Sequence, residues 1–207
     1  APSANISSIL KIAPCSHEAA RYAVLNWHYS KRLPSGKLVK FGVWEDDIFI
    51  GAVVFGRGAN NHLASSFGLL QTECCELVRV ALKAHKAPVS KIVAISLKEL
   101  SRSNPGMKLV VSYADFSNQQ HLGIIYQASN WIYLGERKTI KDSYYIIAGQ
   151  LMHGRSVRAK WGSDKNIPYD WEYAEQFMKH IYVMPLTKEM RKKFLPQAKP
   201  YPKALVV

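Results

Sequence analysis

The stretch Leu109-Val110-Val111-Ser112-Tyr113-Ala114-Asp115 begins with an apolar run and ends on an acidic residue. A short apolar run that follows the turn Asn104-Pro105-Gly106 predicts a strand buried inside an α/β sheet. Ligands of open α/β sheets bind at the carboxyl ends of such strands, so Asp115 is a candidate site residue. The alternative is that Asp115 or Ser117 only caps a following helix.

The segments on both sides of this strand predict an α/β (α+β) architecture, a mixed sheet with helices packed on it. The apolar spacing predicts helices at residues 16–29, 88–101, 118–129, 171–180 and 188–195. Strands are predicted at residues 40–44, 48–56, 76–82, 109–114, 131–137 and 143–148, the first two joined as a hairpin. We expect residues 1–152 to form the catalytic core. Residues 153–207 are expected to form a basic, partly helical extension that ends in prolines and packs on or beside the core.

The charge of the chain favours a polyanionic partner. The chain has 207 residues, and its 28 Lys and Arg against 15 Asp and Glu give a formal net charge of +13. Hydrophobic residues make up 48%, which is typical of a folded core and argues against a disordered chain. A compact body with this charge most often binds nucleic acid, although a merely soluble basic protein is the alternative.

Several classes of protein are not indicated by the sequence. No stretch approaches the roughly 20 apolar residues that span a bilayer, and no signal peptide is visible, so a cytoplasmic protein without membrane contact is expected. The cysteines Cys15, Cys74 and Cys75 lack zinc-site spacing and suit reduced thiols. Walker, dinucleotide-binding and His-Glu-x-x-His motifs are absent as well.

Three groups of residues can carry chemistry. His28 and Tyr29 lie where the first helix gives way to a Pro/Gly loop, and His transfers protons readily near neutral pH; the alternative is an ordinary helix end. Tyr126, Gln127 and Asn130 follow Asp115 and concentrate polar groups near a strand end. Basic and aromatic residues between 131 and 173 suit phosphate binding and base stacking, or else a solvated face over buried rings.

Several of these residues belong to segments that resemble the Mom family of phage DNA-modification proteins. The segments are residues 111–115, His121-Leu122-Gly123 and residues 125–135, with shorter matches at His28-Tyr29, residues 76–79 and His153-Gly154-Arg155. The resemblance implies a fold similar to the GNAT acyltransferases. It also implies a transferase that places a carbamoylmethyl group on N6 of adenine in double-stranded DNA. That mark would protect phage DNA from restriction in the cytoplasm of the host bacterium.

The resemblance and the residue types together give each candidate a predicted role. The predicted catalytic residues, which would move the N6 proton, assist the leaving group or hold the base, are His28, Tyr29, Asp115 and Tyr126. The predicted residues that bind the donor or a cofactor are Arg79, Lys83, Lys86 and Ser90. The predicted substrate-binding residues are Ser112, Gln127, Asn130, His153, Arg155, Arg158 and Lys160.

The cofactor and the donor stay open at this stage. The resemblance suggests iron, for which His28, Tyr29 and Asp115 carry suitable nitrogen and oxygen atoms. GNAT enzymes bind the CoA pyrophosphate with backbone N–H groups of a Gln/Arg-x-x-Gly-x-Gly/Ala loop. Here residues 83–90 contain no glycine, and Pro88 lacks an N–H, so ordinary acetyl-CoA binding is not expected. A CoA thioester stays a candidate donor, although the usual loop for it is absent.

Two other functions remain open. One is an N-acyltransferase of the GNAT type that acts on another amine, and the other is a non-catalytic DNA-binding protein. Tight binding of acetyl-CoA would indicate the first, whereas DNA affinity without any change to the DNA would indicate the second. The oligomeric state does not follow from the sequence.

Overall fold

The computed structural model describes residues 8–58, 62–115, 121–138, 144–174 and 178–203, and of Asp115 only the backbone. Its strands are β1 (Leu10–Pro14), β2 (Leu38–Glu45), β3 (Ile48–Gly56), β4 (Cys74–Leu82), β5 (Leu109–Asp115), β6 (Ile132–Lys138), β7 (Tyr144–Ile147), β8 (Gln150–His153), β9 (Trp171–Tyr173) and β10 (Met178–Pro185). Its α-helices are α1 (His17–Trp27), α2 (Val89–Ser103), α3 (Ile124–Gln127), α4 (Gly154–Trp161) and α5 (Lys188–Phe194).

Seven of these strands form one mixed sheet in the order β1-β2-β3-β4-β5-β10-β6. Strands β1 to β4 pair antiparallel, and β4 runs parallel to β5. The turn between β2 and β3 needs left-handed backbone at Asp46 and Asp47, with φ of 51° and 63°, which Asp tolerates better than most residues. The sheet confirms the mixed α/β fold that the sequence predicts.

Helix α1 packs on one face of this sheet through small side chains. The residues that meet there are Ala20, Ala23 and Val24 of the helix and Ala52, Val54 and Ala81 of the strands. The Ser16 hydroxyl accepts a hydrogen bond from the Ala19 N–H at 3.1 Å and so begins the helix. Val53 and Phe55 alternate with the residues that face α1 and are also buried, which means that both faces of the sheet are covered.

The chain divides into two compact units. The first, here called the core unit, comprises residues 1–112, 124–134 and 182–201. The second, the small unit, comprises residues 113–123, 135–181 and 202–207. The predicted domain boundary between residues 152 and 153 falls within β8, inside the small unit, and stays a prediction. In the described part of the chain, no helix has the length and apolar character needed to cross a membrane.

The small unit is built on a three-stranded antiparallel sheet in the order β8-β7-β9. Tyr145 and Ile147 of β7 form a buried cluster with Val157 of α4. Trp161 and Trp171 pack against this cluster. The sequence left open whether these two aromatic residues stack on bases or belong to a core. The structure supports a place in a core for both.

Two predicted helices differ from the structure. The described residues of the predicted helix at 171–180 form β9 and the beginning of β10, while residues 175–177 lie outside the described ranges. His180 and Tyr182 are buried alternately along β10, a period of two that suits a strand and not a helix. Of the predicted helix at 118–129 the structure describes α3, while residues 116–120 lie outside the described ranges. The strands β1 and β8 and the helix α4 were not predicted.

Candidate active site

The strands β4 and β5 separate in the middle of the sheet. Their parallel register covers three residue pairs, the last of which joins Glu76 to Val111. Strand β4 also carries one extra residue, Val78, between Leu77 and Arg79, which both pair with β3. Such a bulge bends a strand locally. An opening between the two strands therefore begins directly after Glu76.

Two hydroxyl groups bridge this opening. Ser112, the first residue of β5 beyond the paired stretch, donates to the Leu77 carbonyl at 3.1 Å, and its oxygen lies 2.7 Å from the Tyr126 hydroxyl. Because the single proton of Ser112 goes to the carbonyl, the Tyr126 O–H is the donor in the second hydrogen bond. Ser112 is 1% exposed and Tyr126 is 6% exposed. The two hydrogen bonds attach α3 to both strands.

Tyr126 keeps its proton at neutral pH. Burial raises the pKa of Tyr126 to about 12, and the charges of Tyr29 and Glu76 act in the same direction, while the hydrogen bond with Ser112 opposes them. The Tyr126 ring packs against that of Tyr182, with centroids 5.1 Å apart. A buried neutral phenol that already donates to Ser112 suits a positioning residue better than a proton acceptor.

Three charged or titratable groups lie next to this bridge, namely Tyr29, Glu76 and Arg79. Arg79 donates through Nε to the Arg32 carbonyl at 3.1 Å and through Nη1 to the Val78 carbonyl at 2.6 Å. Burial lowers the pKa of Arg79, whereas Tyr29 and Glu76 raise it, so each of these two groups lies within electrostatic reach of Arg79. Tyr29 is 61% exposed, so its ring is accessible to a substrate.

His28 lies beside Tyr29, and their rings are nearly stacked, with centroids 4.3 Å apart and planes inclined by 30°. The Nδ1 atom of His28 accepts a hydrogen bond from the Ser30 backbone N–H at 3.1 Å and lies 2.8 Å from the Ser30 hydroxyl oxygen. In a neutral imidazole one nitrogen accepts and the other carries the proton, so the proton is on Nε2. Neutral His28 is therefore a hydrogen-bond donor at Nε2.

Glu76 is a candidate site residue that the sequence analysis missed. Its carboxylate is half-buried where the pairing of β4 with β5 ends. Space for it depends on Gly58, since a Cβ at that position would lie 2.9 Å from Oε2 of Glu76. A positioned carboxylate can act as a general base. The signal in the sequence was a Glu and an Arg three residues apart inside the otherwise apolar strand Cys74–Leu82.

The loop between β4 and α2 binds a carboxylate of the protein itself. Glu45 accepts hydrogen bonds from the backbone N–H groups of Lys86 and Ala87, one at each carboxylate oxygen and both at 2.8 Å. Ser8 adds a hydroxyl hydrogen bond at 3.1 Å. The Lys86 amide above all holds the pKa of Glu45 below its usual value, although burial opposes it. Glu45 is thus ionised at neutral pH.

The predicted cofactor-binding residues Lys83, Lys86 and Ser90 lie in or next to this loop. The Lys83 ammonium lies 5.7 Å from the centre of the Trp27 ring. The Lys86 ammonium forms an exposed ion pair with Asp46 at 3.7 Å. Ser90 belongs to the first turn of α2. Because the amides of this loop already bind Glu45, a cofactor role for the three residues has no support from the loop geometry and stays a prediction.

Gln127 and Asn130 belong to the core unit and flank Tyr126. The Gln127 amide donates to the Tyr182 hydroxyl at 3.2 Å. Asn130 is exposed and has left-handed backbone, with φ of 57°, after the end of α3. Asn is one of the few residues that adopt this conformation at helix ends. The substrate role predicted for these two residues is not tested by their contacts.

The other predicted substrate-binding residues belong to the small unit. His153 begins α4, because its Nδ1 accepts a hydrogen bond from the Arg155 N–H at 3.0 Å. Burial lowers the pKa of His153, and neighbouring positive charges, that of Arg155 first, lower it further. Arg155, Arg158 and Lys160 are exposed on this helix. The structure describes these residues within the small unit only, and their predicted role in substrate binding stays a prediction.

Iron, which the resemblance suggests, stays a prediction. Where side chains are described, no three His, Cys, Asp or Glu residues lie close enough together to hold a metal ion. Of the three donors expected from the sequence, His28 already accepts hydrogen bonds at Nδ1, and Tyr29 is largely exposed. The side chain of Asp115 lies outside the description. We therefore assign no step to iron below.

The cysteines of the core unit are not nucleophiles. Burial raises the pKa of Cys74 to about 12 and also raises that of Cys75. Both thiols, like that of Cys15, are free, which agrees with the prediction of reduced cysteines. Because a thiolate is the reactive form, neither Cys74 nor Cys75 can carry a transferred group at neutral pH.

A family comparison identifies the chain. The sequence model of the Mom protein family matches residues 9–203. The chain belongs to the Mom protein family. The match covers every helix and strand described above, and with them the Mom-family residues at the β4–β5 opening. No curated protein sequence matches the chain at a significant level.

Solved structures similar to this Mom-family chain are acetyltransferases. An N-acetyltransferase from Staphylococcus aureus Mu50 has a TM-score of 0.50 and 13% identity, over 86% of this chain and 98% of that one. A protein described as a probable acetyltransferase from Staphylococcus epidermidis ATCC 12228 has a TM-score of 0.50 and 11% identity, over 86% of this chain and 100% of that one. At such identities the likeness shows the fold, and it confirms the GNAT-like fold expected for a Mom-family transferase.

Proposed function

We propose that this Mom-family protein transfers a carbamoylmethyl group to N6 of adenine in double-stranded DNA. The observation that carries the proposal is the exposed Tyr29 ring, in the same unit as the half-buried Glu76 carboxylate, which lies where the pairing of β4 with β5 ends. A stacking surface and a carboxylate together suit a flat base whose amino group must lose a proton. The net charge of +13 suits a substrate attached to a polyanion.

The adenine has to leave the duplex before it can react. Flipping a base out of the stack costs a few kcal/mol. Stacking on an aromatic side chain contributes about 1–3 kcal/mol per base, and the His28–Tyr29 ring pair offers such a surface. In the proposed complex the flipped adenine lies against Tyr29, and the N–H at Nε2 of His28 donates to an acceptor nitrogen of the base.

The transfer itself requires a donor that carries a carbamoylmethyl group on a leaving group. The N6 lone pair forms a bond to the methylene carbon of the donor, and the bond from that carbon to the leaving group breaks. The leaving group keeps the bonding electron pair, and a proton of N6 passes to the Glu76 carboxylate. Arg79, which is held by two backbone carbonyls, supplies a fixed positive charge near this site. Ser112 and Tyr126 keep the opening in shape.

The proposed donor does not depend on pyrophosphate binding at the loop before α2. The Lys86 and Ala87 amides of that loop already bind the Glu45 carboxylate, and a phosphate there would meet a negative charge. This contact disfavours the alternative of an ordinary acetyl-CoA-dependent acyltransferase. The reaction would serve phage DNA in the bacterial cytoplasm, where the modified adenine resists restriction enzymes.

Mass spectrometry of nucleosides tests the proposal. DNA is isolated from bacteria that express the protein or its Glu76→Gln variant, and is digested to nucleosides. We expect a deoxyadenosine in which a carbamoylmethyl group replaces one hydrogen, with the wild type only. The same DNA should resist a restriction enzyme whose site contains adenine. Unmodified deoxyadenosine in cells that contain folded wild-type protein would contradict the proposal; DNA affinity without modification would then favour a DNA-binding protein.

A further inference from the structure

The core unit has a second concave surface, between α1 and the loop that follows this helix. We call it the α1 groove; its volume is about 540 Å³. Its charged or titratable lining consists of His17 and Arg21 of α1 together with Lys31 and Arg32 of the loop. None of its described lining residues is acidic. The groove therefore has the chemistry of an anion-binding site.

The positive charges of the α1 groove are not neutralised by the protein. None of Arg21, Lys31 and Arg32 is paired with a carboxylate in the part of the chain that the structure describes. The Lys31 ammonium donates to the Asn26 carbonyl at 2.9 Å, which uses one of its three protons. His17 and Arg21 are four residues apart on α1 and so lie on one face, about 6 Å apart along the helix axis.

The net charge of the chain is concentrated in the unit that contains this groove. The core unit holds 19 Lys and Arg against 8 Asp and Glu, a net charge of +11. The small unit holds 9 against 7, a net charge of +2. Long-range attraction of a polyanion therefore acts mainly on the core unit.

A backbone contact joins the α1 groove to the candidate active site. The Arg32 side chain lines the groove, while its carbonyl accepts the hydrogen bond from Nε of Arg79 at 3.1 Å. Tyr29 precedes Lys31 by two residues in the same loop. A chain-like ligand held in the groove thus passes next to Arg79 and Tyr29. This continuity fits a polymer that carries the reacting group better than a small amine.

We propose that the α1 groove binds the phosphodiester backbone of double-stranded DNA beside the adenine that reacts, an inference that rests on the proposed function. Arg21 and Arg32 each bind a phosphate through the guanidinium group, and Lys31 adds a third positive charge. Phosphate contacts carry no sequence information and position the duplex. The groove therefore sets where the DNA lies, while the residues at the β4–β5 opening act on the base.

Binding of a short fluorescent DNA duplex, measured by anisotropy at several salt concentrations, tests the proposal. The variant Arg21→Glu/Arg32→Glu should bind at least about tenfold more weakly than the wild type. The slope of log affinity against log salt should flatten by about 1.8, because each lost phosphate contact removes about 0.9. The loss should be the same for duplexes of different sequence.

A matched control carries the same charge change elsewhere on the core unit. Lys91→Glu/Lys98→Glu reverses two exposed charges of α2 for which the structure gives no side-chain partner, and should bind DNA with nearly the wild-type slope. If the glutamate variant in the groove does not fold, Arg21→Gln/Arg32→Gln serves instead. Equal affinity and slope for the groove variant and the wild type would overturn the proposal, as would equal losses in the groove and control variants.

The two proposals fail in different ways. A wild type that modifies adenine while the groove variants keep full DNA affinity overturns the α1 groove alone. A wild type that binds duplex DNA through the groove but leaves adenine unmodified overturns the proposed function and supports the groove. A wild type that neither binds nor modifies DNA overturns both.

Discussion

The Glu45 carboxylate accepts a hydrogen bond from the backbone N–H of Ala87 at 2.8 Å, across 42 residues of the chain. Its second oxygen binds the neighbouring Lys86 N–H at the same distance. The hairpin turn after β2 is thereby attached to the loop before α2. The anion bound by these two loop amides is thus a side chain of the protein itself.

Replacing Glu45 by Gln should destabilise the fold. Gln has a single acceptor oxygen, so one of the two loop amides loses its partner and faces an NH₂ group instead. We expect a lower midpoint of urea unfolding for Glu45→Gln. Asp47→Asn, which also removes one negative charge but lies exposed in the adjacent turn, should leave the midpoint unchanged. Equal midpoints for Glu45→Gln and the wild type would show that the loop does not depend on this carboxylate.

The wild type and Glu45→Gln should also differ in how their stability depends on pH. The folded-state pKa of Glu45 lies below its usual value, so its contribution to stability is present above the unfolded value of about 4.3 and is lost as pH falls through the folded pKa. The unfolding midpoints of wild type and Glu45→Gln should therefore differ at neutral pH and begin to converge only as the pH falls below about 4.3. A difference that already shrinks well above that pH would speak against a Glu45 whose pKa is lowered by folding.

Removing Ser112 should cost more stability than removing its partner hydroxyl. Ser112→Ala leaves both the Leu77 carbonyl and the Tyr126 O–H without their hydrogen bonds, an expected loss of about 1–3 kcal/mol. Tyr126→Phe removes only one hydrogen bond, an expected loss of about 1 kcal/mol. Because the variants share a bond, the double variant should lose less than the sum. Urea unfolding measures all three, and strict additivity would argue against the bridge.

Glu76→Gln should abolish adenine modification while DNA binding and stability persist. The amide has nearly the size of the carboxylate but cannot accept the N6 proton, so the rate should fall by about 10²–10⁴. Single-turnover modification of a DNA duplex measures the rate, and anisotropy measures the binding. Glu189→Gln, which removes a charge from the exposed first turn of α5, is the control. Activity of Glu76→Gln close to that of the wild type would assign the proton to another group.

Two substitutions of Tyr29 separate stacking from the chemistry of the hydroxyl. Tyr29→Phe keeps the ring and should retain the affinity for a duplex with an unpaired adenine. Tyr29→Ala removes the ring and should weaken that affinity by about 1–3 kcal/mol, the usual stacking contribution of one base. Because both variants lack the hydroxyl, the difference between their affinities reports the ring alone, and binding measurements are sufficient. Similar losses in the two variants would indicate that the hydroxyl, not the ring, is what the DNA contacts.

His153→Asn should remove a pH dependence from the small unit. His153 begins α4 as a neutral acceptor, and its folded pKa lies below the unfolded value of about 6.5. The folded state binds fewer protons, so stability is full above that value and falls as pH drops through it toward the folded pKa. Asn accepts the same hydrogen bond and does not titrate there. His180, whose pKa burial also lowers, titrates in both proteins, so we expect the melting temperature between about pH 7.5 and 5 to fall further in the wild type than in His153→Asn.

The elements predicted well from the sequence are those whose stability is local or evident in the apolar pattern. The β2–β3 hairpin and the buried strand β5 follow from runs of β-branched residues between turn residues. The helix α2 follows from apolar positions spaced three and four apart. In each case burial of one face decides the element, and the pattern of that face is visible in the sequence.

The elements predicted wrongly depend on partners far along the chain. Strand β1 contains only a few apolar residues and a proline, and it is extended because it pairs with β2. Residues 171–180 have apolar positions compatible with either period, and pairing of β9 with β7 decides for the strand. Tertiary contacts of this kind override local propensity, and they cannot be recognised from the neighbouring residues in the sequence.

The residues of the candidate site, too, could be predicted from the sequence only in part. Tyr29 and Ser112 were predicted from residue type and position, and the structure places both in the core unit. Glu76 was missed because one acidic residue in a strand usually marks a solvent-facing position. Glu45 was missed because a Glu before Asp46 and Asp47 looks like part of an exposed turn. Only the fold shows that its carboxylate turns inward onto the Lys86 and Ala87 amides.

The Ser112–Leu77 hydrogen bond has a consequence for how the enzyme binds its substrate. Strands that were merely unpaired could close on each other in the free protein, and a ligand would have to push them apart. Here the β5 hydroxyl already satisfies the β4 carbonyl where the pairing ends, so the end of the pairing is fixed in the free protein. If DNA is the substrate, as we propose, its binding energy is available for flipping and orienting the base, and none of it is needed to separate these strands.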